Sequence, residues 1–181
     1  MKKSSKRIHV ITAFAVMVFA TTALLEAQVV LNGRIYRSEG GTGLENIRFV
    51  IDSYSTPDEI LALKRFMTSG DVEGFYKALR AMDKGQMQPR GTSGLNVHFN
   101  VAIEQPTEKG IRIVLITESR NVMPGQNIFL FLVAELNLDK NFNGNGRLHY
   151  DAKIKFPAEG GVDLDSYVTV PNQITNLHRV K

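Results

Sequence analysis

The chain has 181 residues, no cysteine, and 22 Lys and Arg against 18 Asp and Glu, a formal net charge of +4. Without thiols there is neither a disulfide framework nor thiol chemistry, so the core must hold itself together. Lys2, Lys3, Lys6, Arg7 and Glu26 fall in residues 1–27; beyond them 18 basic residues face 17 acidic ones, too even a balance to suggest a nucleic-acid partner.

Residues 1–27 read as a secretory signal peptide. Four cations precede Val10 to Leu25, a 16-residue run without a charge, and Leu25 and Ala27 stand where a signal peptidase inspects the chain. The rival reading is an uncleaved anchor, because the run approaches the roughly 18 apolar residues a spanning helix needs; this is the only membrane contact expected. The remainder, 28–181, matches one exported domain of a bacterial envelope, periplasmic or secreted.

Along that domain, 29–37 reads as a short first strand and 37–46 as a glycine-rich link. In 46–54, Ile47, Phe49 and Ile51 alternate with polar or smaller neighbours, as a half-buried strand does. Thr56-Pro57-Asp58-Glu59 then carries a hydroxyl N-cap, Pro at the first helical position and Glu three residues after the cap, the pattern of a capping box. Ile60, Leu63, Phe66 and Met67 lie on one face of this helix until Gly70. Asp71 caps a second helix, with Val72, Phe75, Tyr76, Leu79 and Met82 at helical spacing. Gly74 inside it costs about 1 kcal/mol relative to Ala, which suggests close approach by another backbone.

Residues 84–94 show no period and read as a loop; the "GTSG" at 91–94 lacks the spacing of a serine elbow. Five strands follow at 95–103, 111–118, 127–139, 147–156 and 162–170, joined by short turns and therefore antiparallel. The tail at 171–181 reads as an extended edge or a short helical turn. The expected fold is α+β: a curved, mostly antiparallel sheet of about seven strands packed on an inserted two-helix hairpin. The strand, helix-pair, meander order is similar to that of helix-grip folds with ligand cavities, which implies a sheet gripping the helices. Residues 171–181 are too short for the long closing helix of those folds.

"LDKNFNGNGRLHYD" (138–151) contains the first half of a calcium loop in Asp139, Asn141, Asn143 and Gly144. The twelfth position, which should carry a bidentate carboxylate, is Tyr150. Both flanks also alternate with period two, so a hairpin is the better reading. Keeping Leu136 and Leu138 on the same face as Leu148 and Ala152 demands a loop of odd length. A three-residue loop Phe142-Asn143-Gly144, with Gly144 left-handed, satisfies that parity. This register sets Glu135 opposite Asp151, or after a two-residue shift opposite His149. Glu135, His149 and Asp151 thus form the one carboxylate–imidazole cluster that local geometry offers, as an acid–base or metal site, or else as a solvated sheet face. His98, Asn100 and Glu104 line another strand's polar face, two strands away.

Phe129, Phe131 and Val133 require cover on the sheet's second side. Helix residues Phe66, Met67, Phe75, Tyr76 and Met82 are the natural source, as core or as the lining of an apolar ligand cavity. No cofactor is implied, and no Walker loop, dinucleotide fingerprint or H-E-x-x-H appears. Two functions are expected: a non-catalytic exported domain binding a partner protein or apolar small molecule, or a hydrolase using Glu135, His149 and Asp151.

Overall fold

A computed structural model of the chain describes residues 28–36, 44–90, 96–121, 128–157, 161–166 and 170–180. The signal segment 1–27, residues 37–43 of the expected link 37–46 and the "GTSG" stretch lie outside the described residues, while 44–46 of that link belong to the second strand. In chain order the elements are β1 Val29–Tyr36, β2 Leu44–Ile51, α1 Pro57–Ser69, α2 Val72–Arg80, β3 Gly85–Pro89, β4 Val97–Phe99, β5 Val101–Thr107, β6 Gly110–Glu118, β7 Phe131–Asp139, β8 Gly144–Lys155, β9 Asp163–Ser166 and β10 Asn172–Arg179.

The class is α+β with antiparallel pairing throughout, but the described sheet has ten strands, not about seven. Each addition has a local cause. Gly85–Pro89 pairs with β2 although its sequence carries no alternating signal, and Pro89 sits at the strand's end, where a missing N–H costs least. The expected strand 95–103 breaks at Asn100 into β4 and β5. The C-terminal tail is no edge: β10 lies between β1 and β8, deep in the sheet order β4-β3-β2-β1-β10-β8-β7-β6-β5.

That order places β4 and β5 at opposite edges, although only Asn100 separates them in the chain. The sheet therefore coils until its two edges meet at this residue. Asn100 fastens the corner: its N–H donates to Ile116 O at 2.9 Å, its side-chain amide to Met82 O at 2.8 Å, and its Oδ1 accepts from Thr117 Oγ1 at 2.7 Å. Ser55 covers part of the β5 edge, donating its N–H to Ala102 O at 2.7 Å and accepting from Ala102 N through Oγ at 3.2 Å. Edge groups so occupied are not templates for a second chain.

Coiling gives the molecule two cores. The inner one draws on nine strands, with Leu31, Phe49, Phe99, Leu115, Leu136 and Ile174 among its members. The outer one lies between β5–β8 and the helices, where Leu63, Phe75, Tyr76 and Leu79 meet Val101, Val114, Ile116, Phe131 and Val133. The expectation of a sheet gripping the helices is thus corrected: the coil is filled by its own side chains, and the helices pack outside it. The corner reverses the alternation, since Phe99 faces inward and Val101 outward; the one-face reading of 95–103 fails there.

The helix signals translate directly. Thr56 and Glu59 form the capping box: Glu59 Oε2 accepts from Thr56 N at 2.7 Å, and Thr56 Oγ1 from Glu59 N at 3.3 Å. The other Glu59 oxygen takes a hydrogen bond from Lys84 Nζ at 2.9 Å, tying α1 to the start of β3. Gly70, in the left-handed conformation at φ 73°, ends α1, and Asp71 caps α2 through Gly74 N at 2.8 Å. The close neighbours of Gly74 are the Asp71 carboxylate and the Phe66 ring, not another backbone. Arg80 anchors α2 to β6 with two bonds to Glu118, at 2.8 and 2.6 Å.

Candidate functional sites

The calcium-like stretch is a hairpin, and its carboxylate is used internally. Asp139 Oδ1 accepts from Asn141 N at 2.8 Å and Asn143 N at 2.9 Å, and these bonds hold its carboxyl below the usual range. The loop has odd length, but it comprises Lys140, Asn141 and Phe142, with Phe142 left-handed at φ 61°. Leu138 consequently pairs with Gly144, and Leu136 with Gly146, not with Leu148 and Tyr150. The two glycines are strand residues and not turn residues. A Cβ on Gly146 would stand 2.5 Å from Glu135 O and 3.0 Å from the Leu136 side chain, so this register needs a residue without one. We expect Gly146→Val to cost about 3 kcal/mol in urea unfolding, whereas valine at the exposed neighbour Asn145 should cost little.

In this register Glu135 stands opposite Arg147 and His149 opposite Val133. Glu135 and His149 share the outer face, with His149 Nε2 3.7 Å from Glu135 Oε2. The other Glu135 oxygen accepts from Arg112 Nε at 2.6 Å, and Arg112 Nη1 donates to Gln105 Oε1 at 2.6 Å and Val162 O at 3.0 Å. A polar row thus crosses β5, β6, β7 and β8 and holds Val162 over it. The imidazole of His149 first, and the Arg112 guanidinium with it, outweigh burial and bring the Glu135 carboxyl down to about 2. His149 is 1% exposed.

Asp151 does not join them. It occupies a bulge at φ 52°, which reverses the alternation so that Leu148 faces inward while Ala152 and Ile154 face outward. Its oxygens accept from Ser119 Oγ and from Asn121 Nδ2, the latter at 2.6 Å. His98 and Glu104 lie on β4 and β5, away from β8, with His98 Nδ1 3.9 Å from Asp83. Among the described residues no group of three His, Asp or Glu is placed to hold a metal ion.

The aromatic residues expected to line a cavity contact one another. Phe75 meets Phe129 at 5.1 Å between ring centroids, Phe131 at 5.5 Å and Tyr76 at 5.6 Å, all tilted or edge-on. Tyr76 OH donates to Ile128 O and Leu130 O and accepts from Leu130 N at 3.1 Å; burial pushes its phenol pKa up. Phe66, Met67 and Met82 pack at the margin of this cluster. Met67 also borders a surface groove with Lys64, Lys155, Phe156 and Pro157, at the seam between α1 and β8.

The helices pack on β5–β8, and among the described residues no helix lies over the outer face of β10, β1, β2 and β3. Here sequence reading missed a cleft of about 460 Å³ lined by Asn32, Arg34, Asn46, Arg90, Asn176 and His178. Arg34 is directly opposite Asn46 on β2 and Thr175 on β10, while Asn32 is opposite Arg48 and His178. Arg90 is brought in by its N–H, which donates to Asn46 O at 2.6 Å. A bulge at Asn176, left-handed at φ 54°, re-aims the β10 wall. Asn32 Oδ1 and Arg48 Nε are buried without a hydrogen-bond partner among the described residues. Among the described residues no carboxylate lines the cleft. The signal was five polar residues on alternate strand positions, readable only once strand order was known. Compared with known proteins, the chain matches no family model, no curated protein and no solved structure.

Proposed function

We propose that this is an exported, non-catalytic binding domain that engages its partner through the open half of the sheet. The carrying observation is the asymmetry of the outer surface among the described residues: helices pack on β5–β8, whereas β10–β3 present a polar cleft lined in part by Asn32, whose Oδ1 is buried and unsatisfied. The competing hydrolase reading fits less well, because His149 is 1% exposed and Glu135 is already paired with Arg112. An acid–base pair must reach the proton it moves. An apolar ligand between helices and sheet is the second reading, supported by the groove beside Met67 and Phe156.

Native mass spectrometry of protein recovered from the envelope tests this, alongside thermal melts with EDTA, calcium and zinc. We expect a retained partner or small-molecule mass and no metal-dependent shift in Tm. A bare chain that gains stability and ester- or peptide-hydrolysing activity with a divalent metal would overturn the reading in favour of the hydrolase.

A further inference from the structure

Resting on that reading, we infer that the open-face cleft binds an acidic sugar, with its carboxylate on the arginines and its hydroxyls on the carboxamides. Arg34 and Arg90 line the cleft, and neither makes an ion pair among the described residues. A planar guanidinium presents paired donors that match a carboxylate, and it cannot be neutralised by losing a proton. With no acid among the described lining residues, these cations have no counter-charge in the described wall.

The remaining lining is the complement of hydroxyls. Asn32, Asn46 and Asn176 each offer an amide donor and a carbonyl acceptor, and a sugar hydroxyl is itself both. His178 Nδ1 bonds to Asn176 O at 2.9 Å, which orients the ring and leaves Nε2 for a ligand. An unsatisfied acceptor, Asn32 Oδ1, and an unsatisfied donor, Arg48 Nε, occur at paired positions of β1 and β2. Leaving such buried groups unpaired is unfavourable, and a ligand that pairs them gains by it. Of the two, only Asn32 lines the cleft, and a small turn of its carboxamide would bring that acceptor to a ligand hydroxyl. The volume is in the range of small-ligand sites.

Isothermal titration calorimetry of the protein with a tetra-galacturonate, a neutral hexose tetramer, inorganic phosphate and a short duplex DNA tests the assignment. We expect the galacturonate to bind, and the neutral tetramer and phosphate to bind at least tenfold more weakly. Arg34→Gln and Arg90→Gln should each weaken galacturonate binding at least tenfold with Tm unchanged, whereas Lys64→Gln, on the helix side, should leave it intact. Equal affinity for the neutral tetramer, phosphate or DNA, insensitivity to both arginine changes, or no galacturonate binding would overturn the assignment. Loss of the sugar assignment in a protein that still retains a partner leaves the binding-domain reading standing; metal-dependent turnover removes both.

Discussion

Phe75→Ala should lower the unfolding free energy by about 4 kcal/mol, the largest single-residue effect we expect. Phe75 is 1% exposed and touches Tyr76, Phe129 and Phe131, so truncation removes one ring from the centre of a four-ring cluster. Deletion of a buried side chain costs the transfer of its atoms plus the void left behind, and flanking rings held by the Tyr76 hydroxyl bonds cannot collapse into that void. Urea unfolding followed by circular dichroism measures it. The experiment also bears on the apolar-ligand reading: a cost below about 1.5 kcal/mol would mean a loosely filled space between helices and sheet, as a ligand cavity requires, in place of a close-packed core.

The second large effect concerns the polar row. Arg112→Leu is expected to cost about 3 kcal/mol, because it removes the closest charge partner of the Glu135 carboxylate, which is at 16% side-chain exposure, and frees Val162 from its anchor. Glu135 also predicts a pH dependence. Its carboxyl titrates at about 2 in the folded protein against an ordinary 4.5, a depressed value, so its stabilisation is present above about pH 4.5 and lost as pH falls towards 2. The difference corresponds to about 3 kcal/mol. Urea midpoints at pH 6 and pH 3 should therefore fall further for the unsubstituted protein than for Glu135→Gln. Parallel curves for the two proteins would refute this account of the row.

What could be read from the chain divides along the range of the forces involved. Caps, helix faces and the turn parity are set by residues within about four positions of each other, and Thr56, Glu59, Gly70 and Asp71 were all legible. The register of β7 on β8 was not, because Gly144 and Gly146 look like turn residues until β8 is seen to lie between Leu136 and Leu138 of β7 on one side and Ile174 and Leu177 of β10 on the other. Asp151 and Asn100 were misread for a related reason. Each carries a local reversal of alternation, and periodicity arguments assume that none occurs. Glu135 and His149 lie 3.7 Å apart, though as diagonal neighbours and not directly opposite, and Arg112, the partner that changes their chemistry, lies on β6 and carries no local signal of that role. The open-face cleft was the least accessible feature, since Asn32, Arg34, Asn46, Arg90 and His178 converge only through the pairing of the first strand with the last.

That pairing has a consequence for the order of events in folding. β10, at Asn172–Arg179, is wedged between β1 and β8, so the arginine-bearing face has no continuous backing until the last described strand arrives. The β6–β7–β8 meander can form from neighbouring segments, whereas β1 must bridge more than a hundred residues of chain to find its partner. Such long-range closure is slow. The face formed by β10, β1, β2 and β3 is therefore completed only when the most distant described contact of the sheet forms.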